Sequence, residues 1–152
     1  MKLALQKEDI KLNLVSRTKE AVIKELVHFF TKRDNLLSQE EEIFNCVMER
    51  EKLQTTGIGK KIAVPHAKTE AVTQLYVIAG TSKEGIDFDS IDNLPTHLFF
   101  LIISPRSSSG PHVKALSTIA KLTSNEQLKN NLINAENEET FYNILKTGEQ
   151  LL

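Results

Sequence analysis

Gly57-Ile58-Gly59-Lys60-Lys61-Ile62-Ala63-Val64-Pro65-His66-Ala67-Lys68 is the stretch on which the fold turns. Two glycines one residue apart allow a positive φ or a close approach by another group. Ile62-Ala63-Val64 is a short apolar run suited to a buried strand. Pro65 has no N–H for a sheet ladder, so it is expected to end that strand. His66 then stands at the strand's exit, where a rigid scaffold can hold it toward solvent or a partner. Three uses of the stretch compete: a surface histidine, a nucleotide-binding loop, or a histidine that itself carries a group. The nucleotide loop fails residue by residue. A Walker pattern read back from Lys60 needs Gly where Gln54 stands and Ser or Thr where Lys61 stands; the dinucleotide pattern needs Gly where Ile62 stands.

Outward from this stretch, 152 residues fit one domain with a sizeable core. A formal net charge of −1 argues against a general nucleic-acid binder, which carries a basic field. No apolar run approaches a membrane span, and Met1 to Glu8 lacks the apolar region of a secretory signal. The single Cys46 excludes a disulfide framework and points to a reducing cytoplasm.

Upstream, Ile10, Leu12 and Leu14 alternate with polar residues as in a half-buried strand. Ser16 or Thr18 can cap the helix that follows, whose apolar stripe is Val22, Ile23, Leu26, Val27 and Phe30. Ser38-Gln39-Glu40-Glu41 has the form of a capping box for a second helix, with Ile43, Phe44, Val47 and Met48 inward and Cys46 a packed, inert thiol. Arg50 falls near that helix's C-terminus. It can complement the helix dipole there or clamp a phosphate bidentately.

Downstream, Leu75 to Thr81 and Leu98 to Ile103 are nearly continuous apolar runs, the second predicted as a strand buried on both faces. His97 begins it, as a partner of the site or as a strand-end residue. Asp87, Asp89 and Asp92 lack the Gly and Glu spacing of a Ca²⁺ loop and are expected to form a turn. Ser104 to Pro111 is a loop by composition, and His112 opens the next helix, with Leu116, Ile119 and Ala120 inward. A helix N-terminus favours a neutral His112 and can share an anion with it. Ser124-Asn125-Glu126-Gln127 is a further expected capping box. Glu138 to Lys146 is a final helix, with Phe141, Ile144 and Leu145 inward and Gly148 as its stop. Strands interleaved with amphipathic helices predict an α/β layered fold.

Thr55 to Lys68 resembles the active-site signature of the enzyme IIA domains of the phosphoenolpyruvate-dependent sugar phosphotransferase system, of the fructose–mannitol type that includes nitrogen-regulatory enzyme IIA-like proteins. Arg50-Glu51 before it, Gly85 to Asp92, the run His97 to Ile103 and Pro111-His112 after it stand in the matching order. The likeness covers roughly residues 17–146. Lys61 and Ala67 occupy positions where glycine is common in that family, and Gly110-Pro111-His112-Val113 replaces a more usual polar residue and Leu. The resemblance implies one domain over residues 1–152, with a mixed central β-sheet flanked by α-helices. It implies His66 as phosphoryl acceptor, His112 as the residue orienting the phosphate and Arg50 as its clamp, with no metal or organic cofactor. The implied donor is the phosphocarrier HPr or its nitrogen-branch relative. The implied acceptor is a cysteine on an enzyme IIB domain, or else a target protein is regulated; no nucleic acid and no membrane insertion enter.

The chemistry suits these residues. A neutral imidazole with a pKa near 6.5 is a good nucleophile at neutral pH. A phosphoryl group brings about −2 charge and needs donors already aimed at its oxygens. A zinc site built from His66, His97 and His112 is the rival chemistry. It lacks an i, i+4 histidine pair and a helper carboxylate.

Overall fold

The computed structural model describes residues 3–152, so the first two residues of the Met1–Glu8 segment lie outside it. In chain order the elements are β1 (Ile10–Lys11), α1 (Lys19–Arg33), α2 (Glu40–Leu53), β2 (Gly57–Gly59), β3 (Ile62–Ala63), β4 (His66–Lys68), β5 (Tyr76–Ile86), β6 (Thr96–Ser104), α3 (Ser109–Thr123), α4 (Glu126–Ile133) and α5 (Glu138–Gln150). The six strands form one mixed sheet in the order β1-β5-β6-β3-β2, with β4 also on β6. The expected α/β fold, a mixed central sheet flanked by helices, is present.

β6 organises the sheet. It pairs antiparallel with β5 along one side and parallel with β3 and β4 along the other. Its side chains alternate between two cores, as the period of two requires. Leu98, Phe100 and Ile102 pack with Ile62 and Val64 beneath Ile119, Leu122, Leu132, Phe141 and Leu145 of α3–α5. Phe99, Leu101 and Ile103 pack on the other face with the stripes of α1 and α2. All six are 0% exposed, and burying such a side chain is worth about 1.5–3 kcal/mol.

The strand stops at Ala63, before Pro65 as expected, but pairing with β6 resumes at His66. Ile62 pairs with Leu98 and His66 with Ile102, which is the same register on both sides of the proline. Proline removes one donor only. The Pro65 carbonyl still accepts from Ile102 N at 3.0 Å, and Val64 N donates to Thr56 O at 3.0 Å. β3 and β4 are therefore one interrupted strand, and His66 lies within the sheet rather than beyond it.

Of the two residues expected to cap α1, Thr18 does so by accepting from Ala21 N, and Ser16 bonds Glu25. The later helix boundaries differ from expectation. The capping box at Ser38–Glu41 is absent. A 3₁₀ turn at Leu37–Gln39 leads straight into α2, and the Gln39 side chain makes no cap bond. At α4 the cap is Asn125, which accepts from Leu128 N, one residue later than Ser124. Ala120 is exposed, because α3 turns Ala115, Ile119 and Leu122 inward instead. Helix α5 runs through Gly148, where a Cβ would stand 2.7 Å from Leu128 Cδ2; the glycine is there for packing against α4, not for a stop.

The β2–β3 hairpin sets the approach to His66. Its turn residues Lys60 and Lys61 both have positive φ, 56° and 73°. The Asp92 carboxylate accepts from Lys60 N at 2.7 Å and from Leu94 N, so the acidic stretch is a turn that ties the hairpin down. Gly57 lies against the Phe88–Ser90 backbone, where a Cβ would meet Ser90 Cα at 3.0 Å and Phe88 O at 3.1 Å. Gly57→Ala is therefore expected to cost about 1–3 kcal/mol by overpacking. The measurement is a lower denaturant midpoint at unchanged slope; an unchanged midpoint would mean that β2 can move off this loop freely.

Candidate functional site

Three separate elements bring the predicted residues together. His66 begins β4, Arg50 lies on the last turn of α2, and His112 lies in the first turn of α3. All three line one cleft of about 660 Å³, together with Cys46, Glu49, Leu53, Ala67, Lys68, Arg106 and Leu116. A smaller cleft of about 310 Å³ shares Arg50, His66 and Leu116.

The His66 ring is half-buried and held by its own strand. Its Nδ1 lies 2.8 Å from the Val64 carbonyl. A carbonyl only accepts, so Nδ1 carries the proton and Nε2 is left with its lone pair. Burial lowers the His66 pKa below its ordinary value. The Val64 bond opposes this and Arg50 and Lys68 add to it, while Glu51 opposes them. The ring is accordingly neutral, and nucleophilic at Nε2, at pH 7.

His112 stands beside it, with ring centroids 5.2 Å apart and planes inclined at 66°. It is buried, and its Nδ1 is 2.7 Å from Ser104 Oγ. Its pKa is pushed down to about 4, first by burial and then by the charges of His66 and Lys68. The neutral state expected from the helix N-terminus is thus present, with burial as the principal cause.

Arg50 ties off the end of α2 and also lines the cleft. Its Nη1 donates to Gln54 O at 2.7 Å at the end of α2. The adjacent Glu51 points the other way. It is buried, accepts from Thr56 N and Thr56 Oγ1, and pairs with Lys19 Nζ at 2.8 Å. This pins the Thr55–Gly57 segment under the helix and so fixes the helix end from which Arg50 reaches.

His97 does not join the site. Its Nδ1 donates to Ser82 O at 2.9 Å, and it lies five positions before Ile102, the register partner of His66, or roughly 16 Å along the strand. Among the described residues no group of three His, Cys, Asp or Glu is placed to hold a metal ion. Cys46 is half-buried and packed against the core under α1 and α2, as expected, and it also lines the cleft.

Sequence reasoning missed Lys68, Ser104 and Arg106. Lys68 is two residues beyond His66 on the same strand face, which period-two spacing would have shown had the strand not been ended at Pro65. Its Nζ is 3.3 Å from Ser109 Oγ at the start of α3. Ser104 continues the face of Leu98, Phe100 and Ile102 at the end of β6. Arg106 had no signal beyond its place in a loop.

This cleft can be set beside known proteins. The family described as phosphoenolpyruvate-dependent sugar phosphotransferase system, EIIA 2, matches residues 3–148. The chain belongs to that family. A fructose-specific EIIABC component of Bacillus subtilis is 37% identical over 146 residues, 96% of this chain; the chain spans only 23% of that longer protein. A fructose-specific EIIA component of Haloferax volcanii is 33% identical over 138 residues, covering 91% of this chain and 89% of that one. A nitrogen regulatory protein of Bradyrhizobium diazoefficiens is 30% identical over 129 residues, 84% of this chain and 82% of that one. Among solved structures, the nitrogen regulatory protein IIA-Ntr of Neisseria meningitidis superposes with a TM-score of 0.84 at 26% identity, over 92% of this chain and 94% of that one. The mannitol IIA of Escherichia coli shares the fold, with a TM-score of 0.79 at 23% identity over 94% and 99% of the two chains. No helix among the described residues of this EIIA chain is long and apolar enough to cross a membrane.

The two histidines give this EIIA chain an acid-sensitive stability. Both are held below the unfolded value near 6.5, so the unfolded chain binds more protons in acid. Their stabilising contribution is complete above about pH 6.5 and is lost as pH falls toward about 4. Denaturant titrations at pH 7.5 and pH 5 should show a smaller loss of stability for His112→Gln than for wild type. An equally steep loss would assign the acid sensitivity to other groups.

Proposed function

We propose that this EIIA chain is a phosphoryl carrier, with His66 Nε2 as the atom that accepts and hands on the phosphate. One observation carries this: Nδ1 of His66 is committed to Val64 O, so the free lone pair of Nε2 belongs to a cleft that also holds Arg50 and His112. In the forward step the Nε2 lone pair attacks the phosphorus of a phosphohistidine on the donor. The donor's N–P bond breaks and its electron pair returns to the donor imidazole. In the second step an acceptor thiolate attacks, and the His66 N–P bond breaks in the same sense. Arg50 takes the phosphoryl oxygens bidentately, and His112 orients them by a neutral hydrogen bond. The chemistry needs no metal or organic cofactor.

The donor is HPr or a nitrogen-branch relative of it. The acceptor is a cysteine on an enzyme IIB domain of the fructose–mannitol type. Two comparisons support the acceptor: the Bacillus relative is an EIIABC component, and a mannitol IIA of similar fold has been solved in complex with phosphorylated IIB. The 152 residues act as one enzyme IIA domain in the cytoplasm. A second reading keeps the same chemistry and changes the output: the phosphorylation state of His66 controls binding of a regulatory target. The nitrogen regulatory relatives favour it. Pull-downs with the phosphorylated and unphosphorylated chain separate the two, through recovery of a IIB domain or of a state-dependent target.

Incubation with phosphoenolpyruvate, enzyme I and HPr should add one phosphoryl group by intact mass. His66→Ala should add none. His112→Ala should still bind the carrier and transfer about a hundredfold more slowly. Labelling of His66→Ala at the wild-type level would end the proposal.

A further inference from the structure

A neutral His112 has two ring nitrogens and one ring proton. The position of that proton decides what the ring can offer to His66. Its Nδ1 is 2.7 Å from Ser104 Oγ, and the two residues are 4% and 0% exposed. The bond can run in either direction. If Nδ1–H donated, the Ser104 hydroxyl proton would need another acceptor. Among the described residues, Ser104 Oγ has no hydrogen-bond partner except His112 Nδ1. A buried hydroxyl proton left without an acceptor costs about 1–3 kcal/mol. If Ser104 donates instead, its proton meets the Nδ1 lone pair and the ring proton stays on Nε2. Both buried groups are then satisfied. The depressed pKa of His112, about 4, agrees with a single ring proton at neutral pH.

We propose that Ser104 is a positioning residue for phosphoryl transfer: its hydroxyl, by donating to Nδ1, holds His112 as the Nε2–H tautomer that donates to the phosphoryl oxygens on His66. This rests on His66 being the phosphoryl carrier. The two histidines then hold opposite tautomers for opposite tasks. His66 is fixed by a carbonyl, which can only accept, and so keeps a lone pair on Nε2. His112 is fixed by a hydroxyl, which can donate, and so keeps a proton on Nε2. No bond at His112 forms or breaks. The ring proton remains there while the phosphoryl group arrives on His66 and leaves.

The fold places Ser104 for this. Ser104 ends β6 on the face that carries Ile102, and the loop from Pro105 to Ser108 brings the first turn of α3 back over it. The hydroxyl and the imidazole are thus delivered by a strand end and a helix start only eight residues apart.

The test uses the full chain labelled with ¹⁵N-histidine at pH 7.5, with long-range ¹H–¹⁵N correlation of the imidazoles. Wild type should show His112 protonated on Nε2 and bare on Nδ1. A proton on Nδ1 of His112 overturns the proposal, however the variants fold. In Ser104→Ala the Nδ1 resonance should move toward that of an unbonded pyridine-type nitrogen. Phosphoryl uptake from phospho-HPr should fall about tenfold, the equivalent of one lost hydrogen bond, with carrier affinity unchanged. Ser104→Thr, which keeps the hydroxyl, should restore both readouts. An unmoved Nδ1 resonance or an undiminished rate in Ser104→Ala overturns the role of Ser104 while leaving His66 as carrier. A wild-type chain with the expected tautomer that takes up no phosphate on His66 overturns the carrier function instead.

Discussion

The hydrogen bond from the His66 ring to the Val64 carbonyl spans only two residues, yet it depends on the whole sheet. The segment it spans is held at both ends, by pairing with β6 on either side of Pro65. Pro65 contributes by what it lacks. It presents no N–H, its φ is restricted, and its carbonyl still takes a ladder bond from Ile102. The strand is weakened by one donor and stiffened at the residue before the nucleophile. That ring orientation is what turns a half-buried imidazole into a directed lone pair.

Electrostatics complement this geometry. The cleft collects Arg50, Lys68 and Arg106 around two uncharged rings. Burial and the adjoining cations disfavour a protonated His66, so its ring stays neutral at neutral pH. The same cations favour a bound dianion. Under the proposed function, one set of charges would therefore suit the site both with and without a phosphoryl group. Glu51, next to Arg50 in sequence, spends its charge on Thr56 and Lys19 below the helix, so that Glu49 is, among the described residues, the one carboxylate residue lining the cleft.

Much of this is legible in the order of the residues. The stripes of α1 and α2, the buried β6 and the meeting of Arg50, His66 and His112 follow from hydrophobic period, polar punctuation and the resemblance of four ordered blocks. The features that are not legible are set by partners distant in sequence. Whether Pro65 stops a strand depends on β6, whose register it cannot reveal. Gly148 resembles a helix stop until Leu128 is seen to lie against it. Ser38 has the composition of a cap, but the 3₁₀ turn before α2 takes the chain past it. Ser104 looks like the first polar residue of a loop, and only the return of α3 gives its hydroxyl a role.

The unbroken register across Val64 and Pro65 constrains length as well as chemistry. Side chains alternate between faces, so Ala63 and Ala67 belong to the layer under α1 and α2, while Val64 and His66 face α3. A single residue inserted or deleted between Ala63 and His66 would rotate the imidazole through the sheet into an aliphatic interior, with every participating side chain still encoded. Such a chain would retain its composition and nearly all its motif while losing its chemistry, because counting along the ladder, rather than residue identity, decides which side of the sheet the nucleophile meets.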